Sequence, residues 1–323
     1  MRRRDLLVGG LALPLIAIAQ GKGRVPLVGL LISETLSGQA TRLEALRAGL
    51  RDHGYSVEAR NIAFEIRAAE GNYDRLPELA AELVRVKVDV LVAFGSKAVV
   101  AAKGATATIP IVVPSSGDPV NLGVVSGLSR PGGNVTGIAI FGPELTAKWL
   151  ALLKETVPGI VRVGLLRNSA NPSRVTTSEA MRAAAKSLKL ELHGFDVRSP
   201  KEFDGAFAAM AKARVDAVLV TGDTLFQAHW SEITKLAAGR RLPSVGRREF
   251  AEAGGLIGYG QDDAELYRRG ASFVDRILKG AKPADMPVER PTRFELVINL
   301  KAAKALGIRI PQSVLVRADR VIE

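Results

Sequence analysis

IPIVVPSSGDPVNLGVVSGLSRPGGNVTGIAIFG, residues Ile109 to Gly142, decides how the rest of the chain is read. Its opening, Ile109 to Val113, is short, apolar and β-branched, the composition of a strand covered on both faces. Pro114, Gly117 and Pro119 should then stop the strand, leaving Ser115, Ser116 and Asp118 at its C-terminal edge. Open α/β sheets hold ligands at that edge, so these three small polar side chains are candidate contacts. Pro131, Gly132, Gly133 and Asn134 form a turn, and Val135 to Phe141 is a second strand that carries the chain elsewhere. The stretch reads as half of a binding cleft followed by a hinge.

Working outward, strands and helices alternate. Before the stretch, Pro26 to Ile32 is apolar, and Gly38 to His53 carries Leu43, Leu46 and Leu50 at helical spacing with Gly54 as its stop. Ile62 to Ile66 and Val88 to Phe94 read as strands, Asp74 to Val86 and Ser96 to Ala105 as helices. After it, Leu145 to Val157 is helical, and then the series begins again. Val163-Gly164-Leu165-Leu166 repeats Val28-Gly29-Leu30-Leu31 at an offset of 135. Val215 to Asp223 parallels Val88 to Ser96 at an offset of 127, and Leu242-Pro243 answers Ile109-Pro110. Three matches in one order, with loops of different length between them, describe two copies of one βαβ plan.

The expected fold is therefore α/β: two doubly wound lobes joined by a hinge that the chain crosses several times. Lobe 1 takes residues 25–140 and 259–290, and lobe 2 takes 141–258 and 291–323. Gly255 to Tyr259 is a strand candidate, Asp263 to Leu278 a helix, and Phe294 to Ile298 with the helix Leu300 to Leu306 close the chain.

Composition narrows the function. A chain of 323 residues with 47% hydrophobic and 24% charged content is ordinary for a globular protein, and its length exceeds what one core usually supports. The net charge of +12 is spread thinly, aromatic residues make up only 5%, and no basic run is interleaved with them, so no nucleic-acid partner is expected. There is no cysteine, which excludes disulfides, Cys-based metal sites, thiol catalysis and a lipid anchor on an N-terminal Cys. Arg2, Arg3 and Arg4 followed by the apolar Leu6 to Ala19, ending Ala17-Ile18-Ala19, describe a signal peptide over 1–19 cleaved before Gln20. Arg3-Arg4-Asp5-Leu6-Leu7 also fits a twin-arginine pattern.

If the two copies face each other, their strand ends form two walls. The first offers Ser33 and Glu34, then Gly95 and Ser96, then Ser115, Ser116 and Asp118; the second offers Asn168, then Gly222 and Asp223, then Arg247. Ser96 and Asp223 are equivalent, and each is either a cap of the helix that follows or a ligand contact. Hydroxyls and helix N-termini suit a carboxylate, while Asp223 and Asp118 suit an ammonium. Tyr259, Phe94, Phe141 and Phe226 lie near strand ends and either pack the core or meet a ligand side chain. No HExxH, GxSxG, Walker or dinucleotide motif occurs and the three histidines are isolated, so neither an enzyme nor a cofactor is expected.

With these residues in view, the chain resembles the solute-binding proteins of ABC transporters, in the group related to tryptophan- and tyrosine-binding proteins. The resemblance is carried by Ile109-Pro110-Ile111-Val112, Gly117-Asp118-Pro119-Val120, Gly123 and Arg130-Pro131-Gly132-Gly133-Asn134-Val135-Thr136-Gly137. Ile277-Leu278-Lys279-Gly280, Pro287-Val288-Glu289 and Phe294 to Asn299 extend it. It implies a periplasmic, type I two-lobed binding protein without catalysis. Such a protein would act as a monomer that delivers a small ligand, an amino acid or similar solute, to a membrane permease. A ligand-sensing soluble partner of a membrane or regulatory signalling protein is the alternative role.

Overall fold

A computed structural model describes residues 24–140, 142–171 and 174–323, so the leader expected at 1–19 and Phe141 lie outside the described residues. The strands fall into two sheets. The first contains β1 (Leu27–Ile32), β2 (Ala63–Ala68), β3 (Val90–Phe94), β4 (Ile111–Ser116) and β5 (Val135–Ala139), in the order β2-β1-β3-β4-β5 with all neighbours parallel. The second contains β6 (Arg162–Asn168), β7 (Glu191–Val197), β8 (Ala217–Val220), β9 (Ser244–Gly246), β10 (Ile257–Gly260), β11 (Glu295–Asn299) and β12 (Arg320–Ile322). Its order is β12-β11-β10-β9-β8-β6-β7, parallel except where β11 runs against β10.

Alternation along each strand builds the layers. Val28, Leu30 and Ile32 of β1 and Val90, Val92 and Phe94 of β3 enter one core, with the helices Ala40–Asp52 and Asp263–Leu278. Leu31, Leu91 and Ala93 point the other way, to the helices Leu76–Arg85 and Ser96–Ala105. The second sheet repeats this: Val163, Leu165, Ala217 and Leu219 face one core, Leu166, Val218 and Val220 the other. A parallel sheet buried on both faces needs such unbroken apolar strands.

Register confirms that the two sheets are copies. Gly29 pairs with Leu91; Gly164, 135 residues after Gly29, pairs with Val218, 127 residues after Leu91. The offsets read from the sequence are thus offsets between aligned ladder positions.

The chain crosses between the sheets three times. It leaves β5 for the helix Gly142–Thr156, whose Leu145, Trp149 and Leu153 join the second sheet's core. It returns after β10 as the helix Asp263–Leu278, which packs so closely on Ala40–Asp52 that a Cβ on Gly49 would lie 2.2 Å from the Arg268 carbonyl oxygen. It goes back along residues 286–294, where the Glu289 N–H donates to the Gly137 carbonyl at 2.9 Å before β11 begins. Tyr259 and Gly260 therefore pair within the second sheet, whereas the expected division places 259–290 in the first lobe.

One local expectation is corrected. Pro114 does not end β4, which continues to Ser116, because the ladder to β5 shifts between Val113 and Ser116 at the position where proline has no N–H to give.

Candidate functional site between the sheets

The carboxyl ends of the two sheets face each other across a pocket of ≈ 510 Å³, counting its open mouth. From the first lobe it is lined by Tyr73, Gly95, Ser96, Lys97, Ser115, Ser116, Gly117 and Ile140. From the second come Asn171, Gly222, Asp223, Thr224, Gln227 and Arg247, and Tyr267 comes from the helix that crosses back.

Asp223 follows β8 and caps the short helix Thr224–Ala228 by accepting the Leu225 N–H at 2.9 Å. It also accepts from Asn168 Nδ2 at 2.9 Å and from Asn171 Nδ2 at 2.6 Å. Burial pushes its pKa above the ordinary carboxylate value, and these three donors pull the other way. Ser96, its counterpart, begins the helix Ser96–Ala105 but caps nothing; its hydroxyl accepts the Gly117 N–H at 3.4 Å. Gly95 holds the turn before it at φ +97°, which favours glycine, and a Cβ there would stand 2.8 Å from Thr224 Cγ2 of the opposite lobe.

The walls touch. Glu34, buried after β1, accepts hydrogen bonds from the Tyr73 hydroxyl and, across the cleft, from Thr224 Oγ1 at 3.3 Å. Asn168 Nδ2 reaches the Tyr73 hydroxyl at 3.4 Å. Burial raises the Glu34 carboxyl above its ordinary pKa and the Tyr73 phenol far above its own. Lys97 lies with its ammonium 4.1 Å from the centroid of the Tyr73 ring, a cation–π contact. At the hinge end, Arg247 pairs with Asp263, which also binds Arg42 Nη2 of the first lobe at 2.6 Å.

Of the residues expected from the sequence, Ser96, Ser115, Ser116 and Asp223 line the pocket, with Asn168 and Glu34 bonded to its walls. Ser33 is spent on the scaffold, donating to the Phe94 carbonyl at 3.1 Å. Asp118 closes its own turn, accepting the Val120 and Asn121 N–H groups at 3.1 Å each. Tyr259 stays away from the pocket: its ring stacks on Phe294 with centroids 5.8 Å apart, and its carbonyl accepts Trp149 Nε1 at 2.7 Å. Phe94 and Phe226 are buried core residues. The sequence reading does not single out Tyr73, Lys97, Asn171, Thr224, Gln227 or Tyr267, all of which line the pocket. Lys97 and Thr224 each directly follow a residue that it named, and Tyr73 follows β2 by the rule applied to the other strands. Among the described residues no acidic or histidine cluster can hold a metal ion, and no helix is long and apolar enough to cross a membrane.

Residues 32–322 match the family described as ABC transporter substrate binding protein. The chain belongs to this family. As an ABC transporter substrate-binding protein it has the two-lobed type I periplasmic binding fold. It is 26% identical over 261 residues, 80% of the chain and 74% of its relative, to a tyrosine-binding protein of Clostridioides difficile. A conserved domain protein of Vibrio cholerae superposes with a TM-score of 0.86 at 27% identity, covering 92% of this chain and all of that one. An ABC domain of Streptococcus pneumoniae in complex with L-Trp superposes with a TM-score of 0.83 at 28% identity, covering 91% of this chain and 100% of that one.

Proposed function

We propose that this substrate-binding protein is the exported, non-enzymatic, monomeric component of an ABC importer. It captures a small organic solute, an amino acid or a similar molecule, between lobes 1 and 2 and hands it to a membrane permease. The leader over 1–19 directs it to the periplasm and is removed. The observation that carries this reading is the pocket lined by the strand ends of both sheets, with Thr224 and Asn168 of one wall bonded to Glu34 and Tyr73 of the other. A ligand lying there touches both lobes at once, so it favours the closed arrangement by contacts that the open one cannot make. The similarity to a tyrosine-binding protein and to an ABC domain in complex with L-Trp supports a ligand of amino-acid size.

The test is a thermal-shift screen of the purified protein against amino acids and small organic acids. A solute bound only by the native state raises the melting temperature, by an increment that grows with its concentration. A panel in which no solute moves the transition contradicts the reading.

A further inference from the structure

We propose that the cleft takes a small organic acid with a carboxylate and no ammonium group, because Lys97 fills the cation position that a zwitterion would otherwise occupy. This rests on the reading of the cleft as a solute site, and it narrows the solutes to one class.

Part of the pocket lining suits an anion. The helix Ser96–Ala105 starts there with no side chain capping it, so its N-terminal N–H groups and dipole face the cavity wall. The Ser116 hydroxyl, on a residue only 3% exposed, lines the same pocket and has no hydrogen-bond partner in the protein. Arg247 Nε is likewise buried without a partner, its neighbouring Nη2 being held by Asp263. A helix start, a free hydroxyl and a guanidinium N–H are donors that a carboxylate satisfies.

Other lining groups are what an ammonium needs, an aromatic face and a carboxylate: Tyr73 and Asp223. Both are already engaged. The Lys97 ammonium sits 4.1 Å from the Tyr73 ring centroid. Burial acts to lower its pKa, while the charges of Asp223, Asp74 and Glu34 around it favour the charged form. Asp223 has one oxygen on Asn168 and Leu225 and the other on Asn171. A ligand ammonium would have to share the Tyr73 face with a like charge, whereas a ligand without one meets Lys97 as an attraction.

Isothermal titration of the purified protein with matched pairs decides the matter: L-phenylalanine and 3-phenylpropionate, L-leucine and 4-methylpentanoate, L-glutamate and glutarate. The members of each pair share a skeleton and differ in the ammonium. The expected result is that in every pair that binds, the acid binds at least about tenfold more tightly than its amino acid. Lys97→Met, which keeps the aliphatic stem, should abolish that preference. An amino acid that binds as tightly as its deaminated partner, or more tightly, overturns the proposal and leaves the solute-binding reading standing. Binding of neither series overturns both. The wild-type comparison decides even if the variant fails to fold.

Discussion

Thr224 Oγ1 lies 3.3 Å from Glu34 Oε1, a hydrogen bond between side chains 190 residues apart that joins the two walls of the cleft. On the proposed reading, in which a solute draws the two walls together, its loss should fall on closure. Thr224→Val keeps the shape and removes the donor. The expected effect is a loss of about 0.5–1.5 kcal/mol in solute affinity, a factor of roughly two to ten, with little change in the unliganded melting temperature. Titration of wild type and variant with one solute from the screen checks it. Unchanged affinity would mean that the bond contributes nothing to closure.

Gly137 supports the first crossing by its lack of a side chain. Its φ is +140°, and a Cβ would stand 2.1 Å from the Val113 carbonyl oxygen on the neighbouring strand. Gly137→Ala should cost roughly 3 kcal/mol or more, a fall in melting temperature of about 6 °C or more for a chain of this size. Calorimetry on the purified variant reads this, and a transition within about 2 °C of wild type would show that the strands separate easily.

A buried carboxyl at the hinge makes stability depend on pH. Glu249 accepts the Asp263 N–H at 2.9 Å, and burial, reinforced by the Asp263 carboxylate, pushes its pKa from 4.5 to about 7. The folded state therefore binds a proton that the unfolded state has released between those values, so stability must fall as pH rises through about 4.5 to 7. Glu34 and Asp223, also raised by burial, act with the same sign. For Asp263, burial acts upward, but Arg247 and Arg42 outweigh it and hold the pKa below 3.8, so its contribution is lost only in stronger acid. Melting temperatures from about pH 5 to pH 8 should decline for wild type and decline less for Glu249→Gln. Parallel curves would remove Glu249 from the account.

The duplicated plan was legible because it is written in local pattern. Apolar strand patterns recur in one order at offsets of 135 and 127, and those offsets relate the ladder pair Gly29 with Leu91 to the pair Gly164 with Val218. From that alignment Ser96 and Asp223 follow as equivalent positions, and both line the pocket. The motif Arg130 to Gly137 proves to be scaffold: Asn134 Nδ2 ties down the Thr106 and Ile109 carbonyls, at 3.0 and 2.8 Å, and Gly137 allows β5 to approach β4.

What was hidden depends on side-chain direction. Asp118 and Tyr259 stand near strand ends, yet a local Asx turn takes the first and stacking on Phe294 the second. Lys97 looks like an ordinary helix residue until its ammonium is seen to lie over the Tyr73 ring. The chain Arg42–Asp263–Arg247 links residues up to 221 positions apart, and no spacing rule brings them together.

Enclosure of a solute between lobes that open and close can be read out by trapping. Gly38 and Ala228 approach across the cleft so that a Cβ on Gly38 would lie 3.0 Å from the Ala228 Cβ, and the native chain has no cysteine to interfere. In the double variant Gly38→Cys, Ala228→Cys, the rate of disulfide formation under mild oxidation reports how often the lobes are closed. A solute that raises the melting temperature should accelerate cross-linking, and the oxidised protein should retain that solute through dialysis. A rate that the solute leaves unchanged or slows would contradict capture by closure.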